Sequence, residues 1–209
     1  MKINKEIINK LKDFSTPEIC DAVKREINLD YNIKQLVGSN KIAGRAYTVD
    51  VPPNESLIVA NALEDLTEGD VLVISGTGKL DSSYWGDYRS ICAKFKKAEA
   101  VVIDGAMRDI EDCEKVGFPI FAKGICPKAS NKNGEGELNT KVICGGVEIN
   151  PGDIIFGDRN GVVCLKDSEI LPAIKKAEEK QKNEEYTISK MYESGRVLPR
   201  IIKLNEKTL

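Results

Sequence analysis

Apolar side chains recur at helical spacing over residues 3–14 (Ile3, Ile7, Ile8, Leu11, Phe14), which predicts an N-terminal helix. Ser15-Thr16-Pro17-Glu18 then reads as the start of a second one, with a hydroxyl cap, an early proline and a glutamate at capping-box spacing. Ile19, Ala22 and Val23 would face inward. Over residues 46–51 the period drops to two, with Tyr47, Val49 and Val51 on one side and Thr48 and Asp50 on the other, as in a half-buried strand. A short helix is expected over 56–63. The largely apolar runs at 71–75 and 100–104 predict buried strands. Helices are expected over 88–97 and 110–116, with Gly117 as a stop, and residues 119–123 return as a strand.

The remainder is rich in short strands (141–144, 147–149, 153–156, 161–165), separated by turn signals at Asn150-Pro151-Gly152-Asp153 and Asp158-Arg159-Asn160-Gly161. Residues 167–193 predict a long, highly charged helix, more often a solvated face or an oligomer contact than a site, followed by a basic, apolar tail. No internal repeat or linker interrupts the chain. The expectation is one α/β domain over residues 1–209, with mixed sheets and flanking helices: N-terminal helices at 1–26, a core at 40–166, and the C-terminal helix and tail at 167–209.

Composition narrows the function. With 41% hydrophobic and 31% charged residues and a net charge of −2, the 209-residue chain gives no electrostatic reason to expect nucleic acid or an anionic membrane as partner. No apolar run approaches the ~20 residues that span a bilayer. The start, Met1-Lys2-Ile3-Asn4-Lys5-Glu6, lacks a secretory apolar region, so a cytoplasmic location with six reduced cysteines is expected. The chain has no histidine, which removes Ser-His-Asp and Cys-His catalysis and, with dispersed cysteines, a zinc site.

Candidate chemistry concentrates at Gly86-Asp87-Tyr88-Arg89 and at Arg108-Asp109, with twenty residues between Asp87 and Arg108. A helix of about ten residues advances roughly 15 Å, and a returning strand of about five covers roughly 17 Å. Asp87 and Arg108 should therefore meet at one sheet edge, outside the carboxyl ends of parallel strands, where open α/β sheets bind ligands. The helix start after Asp87 offers free N–H groups to a carboxylate. A purely structural alternative has Asp87 and Asp109 as helix caps, with Arg108 paired to one of them. Ser75-Gly76-Thr77-Gly78-Lys79-Leu80 fails as a phosphate loop, since Val73 and Leu80 replace the first glycine and the hydroxyl residue, and Asp81 breaks a dinucleotide fingerprint. That turn either lets backbone approach a ligand or shapes the loop. Tyr84 and Trp85 wall the pocket or simply pack the loop.

Gly86-Asp87 followed at this spacing by Arg108-Asp109 resembles the signature of the RraA-like family, which includes class II 4-hydroxy-4-methyl-2-oxoglutarate aldolases and the regulator of ribonuclease E activity. Asp112 stands where the catalytic branch carries a further acidic residue. Ser15-Thr16-Pro17-Glu18-Ile19-Cys20-Asp21-Ala22, Ile42-Ala43-Gly44-Arg45-Ala46, Gly69-Asp70-Val71-Leu72-Val73, Gly117-Phe118-Pro119-Ile120 and Pro151-Gly152-Asp153 are also similar to family segments. The resemblance implies a swivelling β/β/α fold and a homotrimer or dimer of trimers with sites at subunit interfaces. It implies substrate binding at Gly86, Asp87, Tyr88 and Arg89, a pyruvyl-binding Arg108, and Mg²⁺ or Mn²⁺ on Asp109. Arg89 departs from the usual apolar residue and leaves the distal substrate group open.

The implied reaction is retro-aldol cleavage of a 4-hydroxy-2-oxo acid through a pyruvate enolate, with oxaloacetate decarboxylation as a side activity. Arg108 would stabilise the enolate oxygen, and a metal-bound water oriented by Asp87 would take the hydroxyl proton. The alternative is a non-catalytic regulator that binds and inhibits ribonuclease E. A third is an enzyme for another 2-oxo acid, whose distal polar group Arg89 would meet.

Overall fold

The computed structural model describes residues 3–204, so Met1, Lys2 and the last part of the predicted basic tail lie outside the described residues. The N-terminal pattern folds as α1 (Lys5–Lys10), a 3-10 turn (Leu11–Asp13) and α2 (Thr16–Ala22). The Ser15 capping box forms: its hydroxyl accepts the Glu18 N–H and the Glu18 carboxylate accepts the Ser15 N–H. Ile19 and Ala22 are buried, and Val23 is half-buried.

Seven strands build the main sheet. They are β1 (Lys34–Val37), β2 (Ile42–Asp50), β3 (Asp70–Ser75), β5 (Ala100–Met107), β6 (Ile120–Ile125), β10 (Ile154–Asp158) and β11 (Gly161–Leu165), in the order β1-β6-β5-β3-β2-β10-β11. Two short strands join it at the side, β4 (Ser83–Trp85) on β5 and β7 (Glu137–Leu138) on β2. The central pairs β2/β3, β3/β5 and β5/β6 are parallel, and the outer pairs antiparallel. A separate hairpin, β8 (Val142–Cys144) and β9 (Val147–Ile149), turns through Gly145 and Gly146, both at positive φ.

Strand alternation divides the core. Leu72, Ile74, Val101, Ile103, Ile120 and Ala122 point to one face, beneath α3 (Leu57–Asp65), α4 (Asp87–Phe95) and α5 (Ile110–Val116). Val71, Val73, Ala100, Val102 and Phe121 point to the other, against the β8–β9 hairpin. Ile154, Phe156, Val163 and Leu165 turn toward α1, α2 and α6 (Asp167–Ser194). Each fully buried Val, Leu, Ile or Phe contributes roughly 1.5–3 kcal/mol.

Three features depart from the sequence expectation. β2 starts at Ile42, not at residue 46, because Gly44 lets it run against the Gly69 carbonyl, where an added Cβ would lie 2.2 Å away. β5 continues past Asp104 to Met107. The strands β1, β4 and β7 have no alternating signal, being two to four residues long. Asp104 survives inside a buried strand because Lys123 Nζ lies 2.6 Å from its Oδ1 and 2.8 Å from Asp30, while Gly145 donates to its Oδ2. Burial lowers the Lys123 pKa, but the bonds to Asp104 and Asp30 outweigh it and raise the value.

Candidate functional site

β3 and β4 lie end to end along β5. Val71–Ile74 pair with Ala100–Ile103, and Ser83 and Trp85 pair with Ala106 and Met107. This explains the meeting of the two motif halves better than equal lengths of helix and strand. The nine-residue α4 advances about 13.5 Å, whereas the eight-residue β5 spans about 26 Å, leaving the connection at 96–99 to cover the rest. The Arg108 N–H donates to the Trp85 carbonyl at 2.9 Å, closing the junction. Gly86, Asp87, Tyr88, Arg89, Arg108 and Asp109 all line one cleft of about 760 Å³. Sequence reasoning missed other parts of its wall, among them Leu57, Ala60 and Leu63 of α3 with Ser83, Ser130 and Lys132, for which no motif gave a signal.

Neither aspartate caps a helix. Gly86 is the N-cap of α4, no side chain bonds the helix start, and the Asp87 carboxylate has no partner among the described residues. Asp109 is the N-cap residue of α5 by position, but its side chain accepts no helix N–H. Its backbone is left-handed (φ 56°, ψ 44°), a conformation that costs a non-glycine residue roughly 1–2 kcal/mol and that Asp and Asn tolerate best. The paired alternative holds in part, since Arg108 Nε lies 3.1 Å from Asp109 Oδ2. Both Arg108 Nη groups lack a protein acceptor among the described residues. Gly86 makes room for the carboxylate, because a Cβ there would sit 2.6 Å from Asp109 Oδ2.

Beneath the cleft, Trp85 Nε1 donates to Ser90 Oγ at 2.8 Å, and Ser90 Oγ donates to the Gly86 carbonyl at 3.1 Å. This fully buried chain fixes the peptide that opens α4, a helix start that no side chain caps. Arg89 is half-buried and donates to the carbonyls of Tyr84 and, at 2.7 Å, Ser56. Burial, then the charge of Arg108, pushes its pKa down to about 10. Trp85 walls the cleft, whereas Tyr84 belongs to the core and donates to the Gly76 carbonyl. The glycine-rich turn does not line the cleft; Gly76 and Gly78 shape the loop around Asp104 and Tyr84. On the rim, Tyr88, Ile91 and Phe95 form an apolar stripe along α4, 73%, 50% and 85% exposed.

Glu55 anchors the start of α3, next to the cleft residues Ser56 and Leu57. Its buried carboxylate accepts the N–H groups of Ser56, Leu57 and Asn133, joining α3 to the loop before β7. Burial raises its pKa, but the backbone donors together outweigh that and hold it below the ordinary glutamate value. With the folded value depressed, this stabilisation is present above the unfolded pKa and is lost as pH falls through the folded one. Glu55→Gln is therefore expected to cost about 2 kcal/mol at pH 7 and distinctly less near pH 3, by urea denaturation. An equal cost at both pH values would refute the charged role.

The carboxylates that line the cleft, Asp87, Asp109 and Glu64, offer a cation oxygen donors. Among the described residues no group of three or more His, Cys, Asp or Glu side chains forms a metal-binding cluster. Asp112 pairs with Lys115 at 2.7 Å and is largely exposed. A cation here would rest on Asp109, whose carboxylate fills the space that Gly86 leaves open. One carboxylate with open positions around it suits a hard ion that keeps several waters, as Mg²⁺ does, and not zinc.

The same arrangement of segments recurs in known proteins. The chain is 37% identical over 199 residues to an uncharacterised protein of Methanocaldococcus jannaschii, covering 94% of each. It is 36% identical over 180 residues to a Halalkalibacterium halodurans protein named "putative 4-hydroxy-4-methyl-2-oxoglutarate aldolase", covering 86% of each. A solved Streptomyces coelicolor structure, described as an unusual member of the RNase ES inhibitor RraA protein family, superimposes with a TM-score of 0.81 at 26% identity, over 90% of this chain and 98% of that one. The pattern of the RraA-like family (Aldolase/RraA) matches residues 16–164, spanning α2, the cleft and the sheet as far as β11. By that match and these relatives, the chain belongs to the RraA-like family.

Proposed function

We propose that the chain is a divalent-metal-dependent lyase that cleaves a 4-hydroxy-2-oxo acid of the 4-hydroxy-4-methyl-2-oxoglutarate type and releases pyruvate. One observation carries the reading: a carboxylate (Asp87) and guanidinium Nη groups (Arg108) without protein partners among the described residues share one cleft with an uncapped helix start. The aldolase name of the Halalkalibacterium relative supports it. The N–H groups opening α4 receive the substrate carboxylate. Arg108 binds the pyruvyl oxygens and stabilises the charge that grows on the keto oxygen. Asp109 holds Mg²⁺ or Mn²⁺, which supplies Lewis-acid polarisation of the 2-oxo acid when bound.

Asp87 accepts the C4 hydroxyl proton through a water that it orients. The C3–C4 bond breaks as a C4 carbonyl forms, and its electron pair passes to the pyruvate enolate, which is then protonated at C3. Loss of carbon dioxide from oxaloacetate yields the same enolate, so a decarboxylase side activity accompanies the first. A second copy of the chain covers the Tyr88–Ile91–Phe95 stripe, in a homotrimer or dimer of trimers.

Coupled pyruvate-release assays on 4-hydroxy-2-oxo acids and oxaloacetate, with and without Mg²⁺, test the reading. Arg108→Lys is expected to lower kcat/KM by about 10²-fold or more, since an ammonium cannot reproduce a planar two-point contact. The second reading, a non-catalytic regulator that binds a ribonuclease, is favoured by the inhibitor-family description of the Streptomyces relative. Absence of turnover on every substrate would select it. No helix among the described residues is long and apolar enough to cross a membrane.

A further inference from the structure

We propose that Ser90 and Cys113 are positioning residues, a buried hydroxyl–thiol pair that ties the peptide before Asp87 to the peptide before Asp109 and holds the two halves of the cleft in one arrangement. The consequence for turnover rests on the lyase reading; the tie itself does not. The two halves belong to different elements. Gly86 and Asp87 open α4, whereas Arg108 and Asp109 lead from β5 into α5. One backbone bond joins them, from the Arg108 N–H to the Trp85 carbonyl.

A second tie runs through side chains. Ser90 Oγ accepts the Trp85 indole N–H at 2.8 Å and donates to the Gly86 carbonyl at 3.1 Å. The same oxygen lies 3.7 Å from Cys113 Sγ, and that thiol donates to the Arg108 carbonyl at 3.6 Å. A helical serine bonded to the carbonyl four residues back is common, and alone it would fix only α4. Here the hydroxyl also meets a thiol bonded to the other half. Trp85, Ser90 and Cys113 are all buried, so bulk water does not compete for these contacts.

Cys113 acts on Asp109 from both sides. Its thiol bonds the Arg108 carbonyl, in the peptide that precedes Asp109. Its N–H donates at 2.9 Å to the Asp109 carbonyl, in the peptide that follows. The φ and ψ of a residue are the rotations of those two planes, so one side chain and its own amide hold Asp109 in the left-handed region. Ser90 fixes the matching plane on the other half, since its N–H and its hydroxyl both donate to the Gly86 carbonyl. Carbonyl and N–H point in opposite directions in a trans peptide, so the N–H groups of Asp87 and Asp109 are turned away from the buried pair. Loosening the pair lets Asp87 shift relative to Arg108 and Asp109, which lowers kcat.

The test separates alignment from stability. On the substrate that the parent cleaves, at saturating Mg²⁺ and well below the unfolding midpoint, Ser90→Ala and Cys113→Ala are each expected to lower kcat about tenfold, with KM changed by about threefold at most. Because both act through one tie, the double variant should stay within about twofold of the slower single one. Cys113→Ser keeps a donor and should bring kcat back to within about threefold of the parent. Cys144→Ala removes a buried thiol from the β8–β9 hairpin, on the other face of the sheet, and should leave kcat unmoved. A kcat within about twofold of the parent in either single alanine variant overturns the tie. So does a double variant whose losses multiply in full, or a Cys113→Ser variant as slow as Cys113→Ala. Should Ser90→Ala not fold, the comparison of Cys113→Ala with Cys113→Ser decides alone. If the parent turns over no substrate, the lyase reading falls and the tie is read from backbone amide resonances by NMR. Ser90→Ala should then shift the Asp109 amide and Cys113→Ala the Asp87 amide; both unmoved overturns the tie.

Discussion

Asp109→Asn is expected to lower metal-dependent pyruvate release by about 10³-fold or more while leaving the urea midpoint nearly unmoved. The two side chains have the same shape, and asparagine tolerates the left-handed backbone of this position as aspartate does. The half-exposed contact with Arg108 contributes at most about 1 kcal/mol, so its loss changes stability little. What disappears is the anionic oxygen proposed to hold the cation. Asp109→Ala is a poorer test, since alanine in the left-handed region adds a backbone cost of roughly 1–2 kcal/mol. A Mg²⁺ titration of the coupled assay, beside a denaturation curve, reads both quantities. If activity at saturating Mg²⁺ stays within tenfold of the parent, Asp109 is not the metal ligand.

Gly86→Ala should be nearly as damaging for a different reason. The Gly86 backbone is extended (φ −159°), so alanine is not disfavoured by conformation. The obstacle is the new Cβ, 2.6 Å from Asp109 Oδ2 and 3.5 Å from Arg108 Cγ. A carbon and a carboxylate oxygen cannot share that distance, and a carboxylate is easier to swing away than a strand end. Displacement by about 1 Å at a reacting group commonly costs about 10²-fold, and a loss of that size in kcat is expected with the fold intact. A kcat within threefold of the parent would show that the orientation of the carboxylate is not used.

How far these positions could be read in advance depended on the kind of signal. Val71–Ile74 and Ala100–Ile103 announce themselves because a parallel strand buried on both faces must be apolar throughout. Ser15 and Glu18 do so because a capping box is local chemistry. β4 was illegible, since three residues cannot show a period and its place is set by Met107, far along the chain. The expected convergence of Asp87 with Arg108 was right in outcome and wrong in construction: the lengths of α4 and β5 do not cancel, and β4 carries the turn forward to the end of β5. Lys132 reaches the cleft beside Ser56 and Leu57 through hydrogen bonds between distant loops, some of them to Glu55, and no spacing in the sequence encodes those. Arg89 was visible as an unusual residue, but its lack of an acidic partner is a property of the folded chain.

The left-handed backbone at Asp109 also bears on how such a protein could change over generations. Besides aspartate, the residues that sit comfortably there are chiefly glycine and asparagine, each one nucleotide substitution from an aspartate codon. Both are uncharged. Drift at this position therefore tends to leave a folded chain that has lost one anionic oxygen, with the sheet, the cleft and Arg108 undisturbed. From a working lyase, a catalytically silent scaffold of the same shape lies a single mutation away, open to recruitment for binding alone.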